Sequence, residues 1–283
     1  MLDALNAPAA PHSIHRSDYQ PPDWMVPTLA LDFDLAPAQT RVKATLSVSR
    51  NGAHDRPLRL NGDGLVPLRV RVDGEETRDW AMDGTDLVIP ITSASATVET
   101  EVEIAPDKNT QLMGLYASGG LLCTQCEAEG FRRITFFPDR PDVLSRYSVR
   151  MAADKVAFPV LLSNGDCTAA GDLPDGRHFA EWQDPFPKPC YLFALVAGDL
   201  KANRDVFTTM SGKPVQLAVW VAEADLPRTD HAMESLKLSM AWDEDVYGRE
   251  YDLGEFHIVA VGDFNFGAME NKSANVFNTA YVL

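Results

Sequence analysis

Two short acidic segments hold the residues of this sequence best suited to chemistry. One is Gln125-Cys126-Glu127-Ala128-Glu129. The other is Phe264-Asn265-Phe266-Gly267-Ala268-Met269-Glu270-Asn271-Lys272. A small Gly-Ala pair lets another backbone approach closely. At a sheet edge, such a pair can accept a peptide as an added strand. A carboxylate just beyond it can then meet a cation at the end of that peptide. Two buried carboxylates aimed at one ammonium would make a specific anchor, because a desolvated charge must be paired. The same residues also read as a loop with solvated acids, and on residue types alone that is the preferred reading.

Other chemistry has less support. None of the six histidines (His12, His15, His54, His178, His231 and His257) sits in an HExxH pattern. His231 and Glu234 can share a helix face but lack the further ligands a zinc site needs, so a solvated helix N-terminus is the better reading. Cys123-Thr124-Gln125-Cys126 is a CxxC without a second CxxC or a βαβ setting, which indicates structural thiols. GxSxG elbows, P-loops and dinucleotide fingerprints are all missing from the sequence.

Composition narrows the partners. The 283 residues include 41 Asp and Glu against 25 Lys and Arg, a formal net charge of −16. Such a surface repels phosphate backbones and anionic lipid, so neither nucleic acid nor membrane is an expected partner. The longest apolar run, from Tyr191 to Ala197, falls well short of the ~20 residues of a membrane span. Met1 to Trp24 has no apolar core of the signal-peptide kind. Four cysteines in a chain this long indicate free thiols in a reducing cytoplasm.

The elements that must position the acidic segments are mostly strands. Leu29, Leu31, Phe33 and Leu35 alternate with smaller or polar residues, as do Val42, Ala44, Leu46 and Val48. Leu68 to Val72, Val98 to Ile104, Tyr147 to Met151 and Pro159 to Leu162 continue the pattern, with turn signals at Asn51-Gly52, Asp73-Gly74 and Asn164-Gly165. No helix is expected before residue 110, so the chain is mainly β and opens with an antiparallel β-sandwich. Asp184 to Pro189 carries three prolines and reads as loop or polyproline structure leading into a strand from Tyr191 to Val196. Further strands are expected at 207–210, 215–221, 256–261 and 276–283. The best helix runs from Asp230 to Val246, with Asp230 as its N-cap. The expected organisation is a loose tail over 1–17, a sandwich domain over 18–199, and the start of a second domain over 200–283.

Gly267-Ala268-Met269-Glu270-Asn271 is identical to the GAMEN exopeptidase motif of the M1 family of zinc aminopeptidases. The stretches 123–135, 138–144, 161–165 and 182–191 also resemble bacterial members, and the likeness covers most of residues 15–283. It implies that residues 200–283 are the β-rich start of a thermolysin-like α+β catalytic domain. Glu270 would then bind the free α-amino group of a peptide, Glu127 would be the second carboxylate on that ammonium, and Gln125 would line the first-residue pocket. Gly267 and Ala268, with Met269 and Asn271 of the same motif, would present the site to the substrate main chain. Phe266, where some relatives have Met, would border the first pocket.

The family removes N-terminal residues with a zinc-bound water, and a broad, alanyl-type preference is implied. Its zinc ligands and general base lie in an HExxH helix beyond GAMEN, a pattern not found in these residues. The resemblance therefore implies zinc in the full-length enzyme, none held by residues 1–283, and no activity of this chain alone. Expected partners are peptides with a free N-terminus and the rest of the catalytic domain. Epoxide-hydrolase-like relatives usually have Gly at the position of Ala268, which weighs against that branch. An alternative from another class is a zinc-free M1-like module for peptide binding or assembly.

Overall fold

The computed structural model describes residues 15–283, so most of the expected 1–17 tail lies outside the described residues. The strands form an eight-stranded, a four-stranded, a five-stranded and a three-stranded sheet among these residues. The chain is mainly β, as its sequence predicts, and only single 3-10 turns precede residue 110.

Trp24–Asp34, Thr40–Arg50 and Ser95–Ile104 are long neighbouring strands of the eight-stranded sheet. Their alternation is the cause: Leu29, Leu31, Phe33, Val42, Ala44, Leu46, Val98 and Val102 all face the core. Polar partners face outward in register. One row reads Glu181, Arg150, Asp32, Lys43, Glu101, Arg69, alternating in sign across the sheet. Opposite charges side by side favour this register over a slipped one, which would also expose the core face.

Three local expectations change within the sandwich. The sandwich is not wholly antiparallel, because Trp24–Asp34 pairs in parallel with Ser145–Asp154. The proline-rich segment is not a loop but the end of the Arg177–Lys188 strand. A register shift there sets residues 185–187 against Arg146 alone, so Pro185 and Pro187 fall in a bulge where ladder N–H groups are not needed. The strand expected from Tyr191 is instead a turn at Cys190–Leu192 followed by Leu195–Gly198.

The four-stranded sheet, in spatial order Val160–Ser163, Leu195–Gly198, Leu121–Gln125 and Gly114–Ser118, packs against the large sheet. Phe131 and Phe193 meet Tyr147 there, with ring centroids 6.3 and 6.1 Å away, and Phe193 stacks on Phe33 at 6.2 Å. Trp182 adds an indole N–H donated to the Leu161 carbonyl at 3.1 Å.

The five-stranded sheet is covered on both faces, and its side-chain alternation decides which residue goes where. Leu217, Val219, Val221, Ile258 and Ala260 face Ala232, Met233, Leu236 and Met240 of the helix Asp230–Tyr247. Ala218, Trp220, Val259 and Val261 face the first core instead. Burial on both sides explains why these strands are continuously apolar. The helix begins at Asp230 as expected, but its N-cap position falls on Thr229 and it runs one residue further, to Tyr247. The last expected strand is shorter, Ala274–Asn278, because Asn278 caps a short helix, Thr279–Val282, through its side chain. No helix among the described residues is long and apolar enough to cross a membrane.

Candidate functional site

The two acidic segments converge on the four-stranded sheet. Leu121–Gln125 carries the first, with Leu122, Cys123, Thr124 and Gln125 all buried. The chain then turns sharply, with Gly130 N donating to the Cys126 carbonyl at 2.8 Å. A Cβ on Gly130 would sit 2.9 Å from Cys126 Cα, so only glycine lets the turn close so tightly. The turn lifts Glu127, Ala128 and Glu129 into solvent, and its Glu127–Ala128 peptide is cis.

The second segment is tied to the neighbouring strand, Gly114–Ser118. Tyr116 donates its hydroxyl to the Asp263 carbonyl at 2.9 Å, and Ser118 donates to Asp263 Oδ2 at 2.9 Å. Asn265 donates to the carbonyls of Gln111 and Leu112 at 3.1 and 3.2 Å. The backbone then forms the Ala268–Met269 strand, last in the five-stranded sheet, with Ala268 opposite Phe277 and Met269 opposite Val276. One side of this strand is paired. The other is a free sheet edge among the described residues, the geometry that accepts an added peptide strand.

The seven residues singled out from the sequence divide by depth. Glu127, Ala268 and Glu270 are exposed, and Gly267 is half-buried. Gln125, Met269 and Asn271 are buried. Met269 packs in the first core. The two carboxylates are exposed rather than buried: the turn after Gln125 puts Glu127 in solvent, and no described element covers the outer edge of Ala268–Met269 next to Glu270. Gln125 donates to the Glu127 carbonyl at 3.4 Å, while its Oε1 has no partner; both amide atoms of Asn271 also lack one. Buried amides of this kind are normally satisfied, so these atoms are open to a further donor or acceptor.

Charge separates the acids. Glu129 pairs with Arg132 at 3.2 Å, and Lys272 is held by Asp252 at 2.7 Å. Glu127 and Glu270 have no ion pair with a described residue. The thiols next to them are inert: burial pushes Cys123 up to about 12 and Cys126 well above its ordinary value.

Tyr281 was not singled out from the sequence. Its ring lies over Gly267, 3.7 Å from where a Cβ would stand, and it also lines a groove of about 310 Å³ with His231, Phe256 and Phe277. Reading 276–283 as one strand hides it, since only the short helix swings the ring back over the segment. His231 is exposed and Glu234 pairs with Lys237 at 3.1 Å, so they form no metal pair. Among the described residues no cluster of three or more His, Cys, Asp or Glu is arranged to hold a metal ion.

The family profile for the Peptidase M1 N-terminal domain matches residues 31–192, and that for the Peptidase family M1 domain matches residues 231–283. The chain belongs to the M1 peptidase family. Aminopeptidase N of Caulobacter vibrioides is 54% identical over 275 residues, covering 96% of this chain and 32% of that protein. Aminopeptidase N of Escherichia coli is 51% identical over 96% of this chain and 31% of its own length. The crystal structure of Legionella pneumophila aminopeptidase A in complex with aspartic acid superposes with a TM-score of 0.88 at 34% identity, covering 93% of this chain and 32% of that one. The chain thus spans about a third of the length of these M1 relatives. The zinc that M1 membership implies finds no ligand set in the described residues.

Proposed function

We propose that this chain is the N-terminal part of an M1 zinc aminopeptidase and carries the recognition of a peptide's free α-amine. The observation that carries the reading is a pair of exposed carboxylates without an ion pair: Glu270, next to the open sheet edge at Ala268–Met269, and Glu127, two residues past the end of Leu121–Gln125. A peptide added to that edge would present its ammonium to both acids, with the free Oε1 of Gln125 as a further acceptor. An internal peptide has no ammonium to offer, so binding there favours a chain terminus. The Legionella relative was solved with aspartic acid, which also has a free α-ammonium.

The reading extends to the remaining expectations. Residues 18–199 form the N-terminal domain and residues 200–283 open the catalytic one; the second core draws only on residues from Phe207 onward. In a full-length enzyme, a zinc held by ligands other than the described residues would supply an activated water. Residues 1–283 hold the amine-binding side of that chemistry, with a broad, alanyl-type first-residue preference. Four free cysteines suit a reducing cytoplasm.

The test is binding of L-alaninamide to residues 1–283, followed by backbone amide NMR. Glu270→Ala should weaken binding tenfold or more and Glu129→Ala should leave it unchanged, because Arg132 already occupies Glu129. Equal losses would refute the assignment.

A further inference from the structure

The turn Asn164-Gly165 lies between Val160–Ser163, in the four-stranded sheet, and Asp166–Asp172, at the edge of the eight-stranded one. Asn164 is buried and its amide is fully used. Oδ1 accepts from Ala194 N at 2.7 Å, while Nδ2 donates to the Leu192 carbonyl at 3.0 Å and to the Lys272 carbonyl at 2.8 Å. Gly165 N donates to Ser273 Oγ at 2.6 Å, and that hydroxyl is 3.2 Å from the Gly165 carbonyl. Asp166 Oδ1 accepts from the N–H groups of Gly254 and Glu255 at 2.8 and 3.1 Å. Three consecutive residues thus grip the backbone directly after Glu270-Asn271 and the start of the strand beside it.

Sheet register gives this grip its meaning. Cys123 and Leu162 both pair with Val196, and Ser163 pairs with Leu195. Thr124 Oγ1 accepts from Leu195 N at 2.9 Å, so Thr124, Leu195 and Ser163 share a row. Leu121–Gln125 and Val160–Ser163 both run antiparallel to Leu195–Gly198, so Gln125, which ends the first, and Asn164, which follows the second, stand at the same end of one sheet. That sheet end therefore holds Gln125 and, two residues after it, Glu127. It also fixes, through Asn164, the carbonyl two residues beyond Glu270.

We propose that the Asn164-Gly165 turn is a positioning device that sets Glu270 against Gln125 and Glu127. The proposal deepens the amine-site reading and rests on it. Asn164 touches no substrate. It acts through the Lys272 carbonyl, and Gly165 acts through Ser273. Both acids of the site are exposed and bear no ion pair of their own, so their spacing is set by their backbones. The backbone of Glu270 is held from this side by the turn.

The experiment uses residues 1–283 and two probes, L-alaninamide and N-acetyl-L-alaninamide, which lacks the ammonium. Backbone amide NMR reads the affinity of each. Wild type should bind the first and not the second. Asn164→Ala should weaken L-alaninamide tenfold or more, and Asn164→Asp should do the same, since it keeps the acceptor for Ala194 and loses the donors to Leu192 and Lys272. Resonances of Thr40–Arg50, remote in the large sheet, should not move. In a Glu270→Ala background, Asn164→Ala should cause no further loss, whereas an independent structural effect would add. If Asn164→Ala does not fold, Ser273→Ala breaks the same grip from the other side and is read in its place. A wild type that treats the two probes alike overturns the amine site itself. A wild type that discriminates, with full affinity or additive losses in the variants, overturns the positioning role alone.

Discussion

The indole N–H of Trp220 donates to Nδ1 of His257 at 3.2 Å, leaving Nε2 of the same ring 3.2 Å from Oε2 of Glu255. Indole can only donate, so Nδ1 is the acceptor and the neutral ring carries its proton on Nε2, toward Glu255. Trp182 closes the ring from the eight-stranded sheet, edge-on at 5.6 Å. The buried imidazole thus ties that sheet to the one ending in Ala268–Met269.

Glu255 makes this junction sensitive to acid. The hydrogen bond from His257 holds its carboxyl below the ordinary 4.5, against the opposing effect of burial. Between the lowered value and 4.5 the unfolded chain binds more protons than the native one. The stability it contributes is therefore complete above 4.5 and is lost as pH falls through the folded value. Urea midpoints of wild type and Glu255→Gln should differ near neutrality and converge in acid. A gap that stays constant from neutral to acid pH would refute the linkage.

Lys188 is expected to titrate early. Its Nζ is buried 3.0 Å from Asp184 Oδ2 and 3.7 Å over the Tyr147 ring. Burial pushes the ammonium down from 10.5 to about 8, although Asp184 pulls it upward. In that window the native chain has released a proton that the unfolded chain still holds. Stability from this group therefore rises with pH from about 8 to 10.5. The Lys188 side-chain carbon shift, followed by NMR, should show a midpoint near 8; one near 10.5 would show an unstrained surface-like lysine.

Gly165→Ala should be severe. At φ +93 the backbone favours glycine, and a Cβ there would run into the Gln183 carbonyl. A loss of about 3 kcal/mol in urea unfolding is expected, the size that backbone strain and a steric clash produce together. A loss no larger than that of an ordinary surface change would mean the turn can relax.

Residues 1–283 with added zinc should not release nitroaniline from L-alanine p-nitroanilide, because the sequence has no HExxH and the described residues offer no metal cluster. Zinc-dependent release by this chain would require ligands other than those the family uses.

Much of this was legible from local pattern. Period-2 alternation marked the long strands because each apolar residue reports its own burial, and Asp230 to Val246 showed its helix through Met233, Leu236 and Met240. Residue type and setting left Glu127 and Glu270 as solvated acids, and only the resemblance to the M1 motifs singled them out; both are exposed. Partner choice was not legible. Trp24–Asp34 lies in parallel beside a strand more than a hundred residues away, and Pro185 and Pro187 are tolerated only because a bulge forms opposite Arg146.

The sequence by itself determined which residues could form strands and which face each would bury. These depend on a few consecutive side chains and their affinity for water. Tertiary structure alone decided that Asn271 is buried while Glu270 beside it is exposed. It also decided that Tyr281 folds over Gly267 and that Asn164 grips Lys272 across 108 positions. Each of these depends on hydrogen bonds and contacts between surfaces far apart in the chain. Such pairings are settled by which packing satisfies most of the buried polar groups at once, which no local stretch of residues encodes.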